Sequence, residues 1–285
     1  MKRLFAAMLC LCLLAGCGGK GSTGDTCGTK DDPAAGTEKV EPAGETFRII
    51  QEQPENLLLA KTDGNSADVY TLSLRDVELT LDGNAFDRNE PGAYQSFPDG
   101  TLTGALVEVA CDLVLETYPG QLAGVTAVNL RSDGFDDLCA LYLRVLNDLW
   151  AVDEGLNSAI TMLSVDLSQT GLSASEQAAV AWAFAGAHGI SDPLTLSYEE
   201  LAAEGYLTGT EPDSDGIPCW EDGCLFTIAE QEAENNGRGG TGGTVIFDAQ
   251  KWRSALGADF FTDCTASRDA KGHWGDYAIG GQAIS

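Results

Sequence analysis

Short runs of alternating hydrophobic and polar residues follow one another through the first part of the chain, from Phe47 to about Leu130. Asp-Gly, Pro and Asn turn signals separate the runs, which is typical of short β-strands. No helical periodicity interrupts the series, so the pattern predicts a small all-β barrel, because closing a sheet hides its edges. The predicted strands are Phe47–Ile50, Asn56–Ala60, Asp68–Leu72, Val77–Leu81, Ala105–Val109 and Val125–Val128.

Beyond residue 132 the hydrophobic period becomes helical. Apolar residues recur every three or four positions from Leu138 to Leu156, which predicts a helix with one broad buried face. Ser173 with Glu176, and Ser197 with Glu200, have the spacing of capping boxes and predict two further helices. Helices followed by strands favour an α+β arrangement with an antiparallel sheet. The strands predicted in this part are Ile160–Leu167, Cys224–Ala229, Val245–Asp248, Asp259–Thr265 and His273–Ile279.

Two segments resemble known families. The run Leu113-Val-Leu-Glu-Thr-Tyr-Pro-Gly-Gln121 resembles the Glu-Ser/Thr-Tyr-Pro-x-Gln signature of small secreted Firmicutes proteins with an OB-like barrel. This resemblance covers about the first third of the chain beyond Cys17 and implies a fold, but no site residues. Phe247–Cys264, together with Gly280–Ser285, is similar to the C-terminal end of uncharacterised membrane lipoproteins from gut Clostridia, over roughly residues 135–285.

The N-terminus has the features of a bacterial lipoprotein signal. Lys2 and Arg3 are followed by an apolar run, Leu4 to Leu14, that is too short to span a bilayer. Small residues then lead into Cys17, which predicts cleavage before this cysteine and lipid attachment to it. Two acyl chains, such as palmitate, anchor a protein stably. We therefore expect an extracytoplasmic lipoprotein, held at the cell membrane and facing outside.

The residues after Cys17 are rich in Gly, Thr, Lys and acidic side chains and have no periodicity, which indicates a flexible tether. With the patterns above, this predicts an α+β protein in four parts. They are the lipoprotein signal peptide (1–16), the tether (17–44), the OB-like β-barrel domain (45–131) and the α+β domain with an antiparallel sheet (132–285).

The net charge of the chain restricts the kinds of molecule that it can bind. The formal net charge is -28, and the phosphate backbone of a nucleic acid would be repelled by such a chain. Cations and basic surfaces would be attracted instead. We expect the membrane as a partner through the lipid anchor, and a cation or another cell-envelope or extracellular protein as a candidate for the body.

An acidic segment suggests a calcium loop. Glu211, Asp213 and Asp215 alternate before a glycine, and Glu221 follows, so Ca²⁺ is the candidate ligand of these four side chains. The segment resembles the extracellular excalibur-type calcium loop, except that Glu211 replaces an aspartate and Trp220 intervenes before Glu221. The alternative is a solvated acidic turn, in which Trp220 would be the most exposed tryptophan.

Cysteines and histidines point to no catalytic centre. Only Cys219 and Cys224 suggest a local disulfide, across a tight turn, and the chain has no Cys-x-x-Cys pair for zinc. Cys264, His273 and Asp276 could form a nucleophile, base and orienting acid, but a hairpin turning near residue 270 places Cys264 opposite Asp276 rather than His273.

These observations favour a non-catalytic binding or interaction module without a cofactor. Two alternatives remain: a calcium-dependent envelope or adhesion protein, and an envelope hydrolase using carboxylates such as Asp213, Asp215, Glu221 and Asp222. The hydrolase requires two of these acids to converge in a cleft, with at least one raised pKa.

Overall fold

The computed structural model of the protein describes residues 44–62, 65–210, 216–231 and 243–285. Strands fill the first part of the chain, and helices followed by strands fill the second. The elements are β1 (Glu45–Glu52), β2 (Asn56–Lys61), β3 (Val69–Ser73), β4 (Leu79–Leu81), β5 (Asn84–Phe86), β6 (Leu106–Leu115), β7 (Gly120–Arg131), α1 (Leu138–Ala151), β8 (Met162–Gln169), α2 (Ala174–Ala187), α3 (Tyr198–Ala203), β9 (Gly223–Glu230), β10 (Thr244–Ser254), β11 (Gly257–Arg268), β12 (Trp274–Ala278) and β13 (Gly281–Ile284).

In the described part of the chain, β1, β2, β3, β7 and β6 form a closed five-stranded barrel. Neighbouring strands are antiparallel, except where β3 closes the barrel by pairing in parallel with β7, with Tyr70 opposite Gly120. Apolar side chains such as Phe47 and Ile49 fill the barrel core. β4 and β5 add a hairpin to β7. The predicted barrel and the α+β class are confirmed.

The second sheet has the order β12-β11-β10-β9-β8, and β13 pairs with β11 beside β12. The predicted antiparallel arrangement is wrong for one pair, because β8 and β9 run parallel, starting with Met162 opposite Gly223. The chain between these strands contains α2 and α3. A parallel pair needs a long crossover of this kind, often helical.

Helices α1 and α2 cover one face of this sheet. The capping boxes predicted at Ser173 and Ser197 are both present, and they start α2 and α3. The predicted first helix is too long, because α1 ends at Ala151 and the next residue, Val152, is extended. Alanine-rich α2 contacts the barrel strands as well as β8, since its small side chains allow close approach on several sides.

Arg48 on β1 links the barrel to the rest of the molecule. Its guanidinium donates to the carbonyls of Gly104, Gly134 and Asp136, and lies 3.3 Å from the carboxylate of Glu176 on α2. Pro42–Ser285 belongs to one compact unit. Within the described ranges, none of the helices has the length and hydropathy that a membrane crossing requires.

Candidate functional site

A groove crosses the outer face of the second sheet, opposite α1 and α2. Its floor is one row of polar side chains: Asp166 on β8, Thr227 on β9 and Gln250 on β10, which are neighbours in register. The residues flanking Asp166 on its strand, Val165 and Leu167, lie in the core beneath the helices. Since side chains alternate along a strand, Asp166 points to the outer face.

Helix α3 forms the wall of the groove. Leu201 on α3 packs with Trp252 in an apolar cluster that covers the adjacent row of the outer face. The capping box at Ser197 fixes the start of α3, and so places Tyr198 with its ring edge-to-face against Trp252, at 5.0 Å between centroids. The apolar cluster covers the sheet only as far as Tyr198 and Trp252. Beyond these two rings the outer face is open, and a cavity of about 390 Å³ remains.

The floor of the groove has unused hydrogen-bonding capacity. Asp166 is only 7% exposed. One of its carboxylate oxygens accepts a bond of 2.9 Å from the Ser168 amide, and the other has no protein partner among the described residues. The Thr227 hydroxyl and the Gln250 side-chain amide form no hydrogen bond with any other described residue. Convergent polar groups in a partly apolar concavity are typical of ligand sites.

The groove is acidic. Asp166 and Glu199 line it, and no Lys, Arg or His belongs to the lining among the described residues. A neutral or cationic ligand therefore suits the groove better than an anionic one, whose charge both carboxylates would oppose.

Most of the predicted calcium ligands, Glu211, Asp213 and Asp215, lie outside the described residues, as does Cys17. Glu221 is described and exposed. In the described part of the chain, no three His, Cys, Asp or Glu side chains come together as a metal site would require. The calcium loop stays a prediction.

The predicted disulfide between Cys219 and Cys224 is not formed in this structure, where both thiols are free. Cys224 lies in the core beneath the helices, and its Sγ contacts the carbonyl oxygen of Trp252 at 3.4 Å. Cys219 belongs to a turn that pairs with Thr208 and Ser254. The two cysteines are therefore tied to different surroundings.

Trp220 in the same turn is fully buried, so its predicted exposure is wrong. Its amide donates to the carbonyl of Arg253, which draws the turn onto β10. Gly223 allows the indole to lie against the backbone, because a Cβ at that position would overlap the ring. Trp220 thus supports α3 and the groove wall from below and is not available to a ligand.

Cys264, His273 and Asp276 do not come together as a nucleophile, base and orienting acid. His273 Nδ1 lies 2.6 Å from the carboxylate of Asp137, which also accepts the Trp274 amide, and burial is the main cause that raises the pKa of Asp137. Asp276 is exposed and lies 3.5 Å from Arg144.

Two of the buried thiols are poor nucleophiles. Burial raises the pKa of Cys224 to about 12 and that of Cys264 to about 11. Thiolate is the reactive form of cysteine, so both side chains are inert at neutral pH.

No protein-family profile, curated protein or solved structure matches this chain. The groove was also not among the sites predicted from sequence. A signal existed, because Asp166, Thr227 and Gln250 are polar positions inside apolar strands, but their meeting in one row depends on a strand order that the sequence does not reveal.

Proposed function

We propose that this chain is a lipid-anchored extracytoplasmic protein whose second sheet binds a small hydroxyl-rich ligand, neutral or cationic, without chemical turnover. The observation that carries the proposal is the row of Asp166, Thr227 and Gln250, whose side chains offer free donors and acceptors beside an aromatic wall. Saccharides present hydroxyl groups for such a floor and C–H faces for such a wall. The lipoprotein signal ending at Cys17 supports the location.

We also propose that the barrel is OB-like. A five-stranded Greek-key barrel is the architecture of that fold, and the closed strand order β1-β2-β3-β7-β6 with a parallel closure supports the assignment. The acidity of the chain argues against the nucleic-acid binding common among such barrels, because their binding faces are basic and aromatic.

Replacing Asp166 with asparagine is expected to weaken ligand binding roughly ten- to a hundredfold, because a hydrogen bond to a carboxylate contributes roughly 1.5–3 kcal/mol. Asparagine keeps an oxygen for the Ser168 amide, so the strand end remains intact. We would titrate the protein with neutral disaccharides and glucosamine by isothermal calorimetry. Glu221→Gln, at an exposed acid outside the groove lining, is the matched control. Binding that Asp166→Asn leaves unchanged, or no heat at millimolar ligand, would contradict this function.

Replacing Cys17 with serine is expected to move the protein from the membrane fraction to the soluble fraction, because a hydroxyl does not accept the diacylglycerol. Membrane fractionation with immunoblotting measures the shift, and intact mass of the parent protein should show an acylated chain beginning at Cys17. A parent protein without acyl mass would refute the lipid anchor, independently of the groove.

A further inference from the structure

The hairpin between β6 and β7 ends in an exposed apolar surface. Leu113, Val114, Leu115 and Tyr118 are 51%, 44%, 41% and 54% exposed, and we call them the apolar tip. Single exposed hydrophobic residues are ordinary, but a group of neighbouring ones is typical of a contact surface. Here three consecutive strand residues are exposed, so both faces of the hairpin are accessible to a partner.

The apolar tip is held in place. Pairing between β6 and β7 continues to the end of the hairpin, where Leu115 lies opposite Gln121. The ring of Tyr118 meets Trp182 on α2 edge-to-face, with 5.3 Å between centroids. These contacts fix the hairpin relative to α2, while Leu113, Val114 and Leu115 remain exposed.

The chain enters the barrel at the same end. β1 is antiparallel to β6, with Glu45 opposite Val109, and Gly44 still lies against the Val109 backbone. Because β1 runs away from the hairpin, its first residue, Glu45, lies at the end of the barrel toward which β6 extends to Leu115. The apolar tip and the start of β1 therefore share one end of the barrel.

We infer that the apolar tip inserts into the interface of the lipid bilayer that holds the acylated Cys17. This inference rests on the proposed lipid anchor. Residues 18–43 reach at most roughly 90 Å when extended, so the acylated Cys17 would keep the start of β1 within that distance of the lipid. Leucine suits the acyl boundary, and tyrosine is an amphipathic side chain enriched at membrane interfaces.

The charged side chains near the apolar tip determine which lipid headgroups favour its insertion. Asp112 precedes it and Glu116 lies between Leu115 and Tyr118, both exposed, and the chain carries a large negative charge. Anionic headgroups would repel these side chains, so zwitterionic phosphatidylcholine is the favourable surface and added phosphatidylglycerol should reduce insertion.

The test places a tryptophan at the apolar tip of the protein expressed from the complete sequence in a bacterial host that processes lipoprotein signals, mixed with phosphatidylcholine vesicles that carry brominated acyl chains. Val114→Trp is expected to show a blue-shifted, strongly quenched emission relative to the parent protein. Leu256→Trp, at an exposed leucine of the β10–β11 turn, should show no added quenching. Vesicle flotation is measured on the same samples, and far-UV circular dichroism confirms folding of both variants.

The outcomes separate the two proposals. Flotation with tip-specific quenching supports the insertion. Flotation with equal emission at both positions keeps the lipid anchor and overturns the insertion, whereas a protein that does not float overturns both. A dimer in sedimentation that Leu115→Ser dissociates would assign the apolar tip to a second copy of the chain and likewise overturn the insertion.

Discussion

Lys251→Met is expected to lower the free energy of unfolding by about 3–5 kcal/mol, the usual cost of removing one member of a buried charged network. Lys251 is fully buried. Its ammonium donates to the carbonyls of Trp150, Val152 and Asp153, at 3.3, 2.6 and 3.0 Å. These carbonyls surround the end of α1, where the helix cannot satisfy them and where a cation is favoured. Methionine preserves the bulk of the side chain and removes every donor.

A buried carboxyl group beside Lys251 increases the loss of stability that we expect for Lys251→Met. Asp259 lies opposite Lys251 in register, and its carboxylate oxygens are buried with no hydrogen-bond partner in the described chain. Burial is the largest cause that raises the pKa of Asp259 and lowers the pKa of Lys251. A carboxyl with a raised folded pKa contributes stability while protonated and loses it as pH rises through that pKa. Without the lysine charge this pKa rises further, so the deficit of Lys251→Met should grow from acid to neutral pH.

Urea unfolding followed by circular dichroism, at neutral and at acid pH, measures both effects. Lys271→Met is the matched control, since Lys271 is exposed on the β11–β12 turn and surface substitutions usually stay within about 0.5 kcal/mol. Equal stability of the two variants would show that Lys251 does not hold α1 to the sheet.

The sequence predicts correctly those strands and helix caps whose structure is determined by residues close to them in the chain. Turn residues bracketed the early strands, and the capping boxes at Ser173 and Ser197 satisfy amides within three residues of themselves. Gly189, just after α2, has a positive φ of 71°, and the amide of Ile190 bonds back to the carbonyl of Ala185, which is a local way to end a helix. Such features need no knowledge of the rest of the fold.

Features that depend on distant partners were not predictable. β7 is much longer than its apolar run at Val125–Val128, because β6, β3 and β4 each supply pairing partners along it. The parallel β8–β9 pair follows from the path of the crossover, which apolar periodicity does not record. Trp220 is buried because its turn is tied to β10, although its neighbours in sequence are acidic.

The same distinction applies to the functional residues, some of which depend on neighbours in sequence and others on distant parts of the chain. The lipid attachment proposed at Cys17 rests on a contiguous sequence pattern, so the sequence alone was enough to predict it. The groove is assembled from three strands and the start of α3, and its residues are far apart in the chain. Its polar floor was visible as outward positions of amphipathic strands, but the wall that turns those positions into a cavity required the tertiary structure.

Gly272→Ala is expected to destabilise the protein by about 3 kcal/mol or more, because backbone strain and overpacking each cost roughly 1–3 kcal/mol. Gly272 has a positive φ of 93°, which side-chain-bearing residues rarely adopt, and an added Cβ would overlap the carbonyl oxygen of Phe135. The turn has little freedom to move away, since Arg268 donates to both Phe135 and Gly272. Displacing it would also disturb the neighbouring bond between His273 and Asp137.

Gly275→Ala provides the comparison within the same hairpin. Gly275 lies on β12 with an ordinary φ, and a Cβ there would meet no atom within 4 Å, so alanine should change stability by no more than about 0.5 kcal/mol. Thermal and urea unfolding of the two variants side by side isolate the effect of the close approach from that of losing a glycine. If both variants unfold together with the parent protein, the turn is not pressed onto Phe135, and the hairpin of β11 and β12 does not help to hold the start of α1 in place.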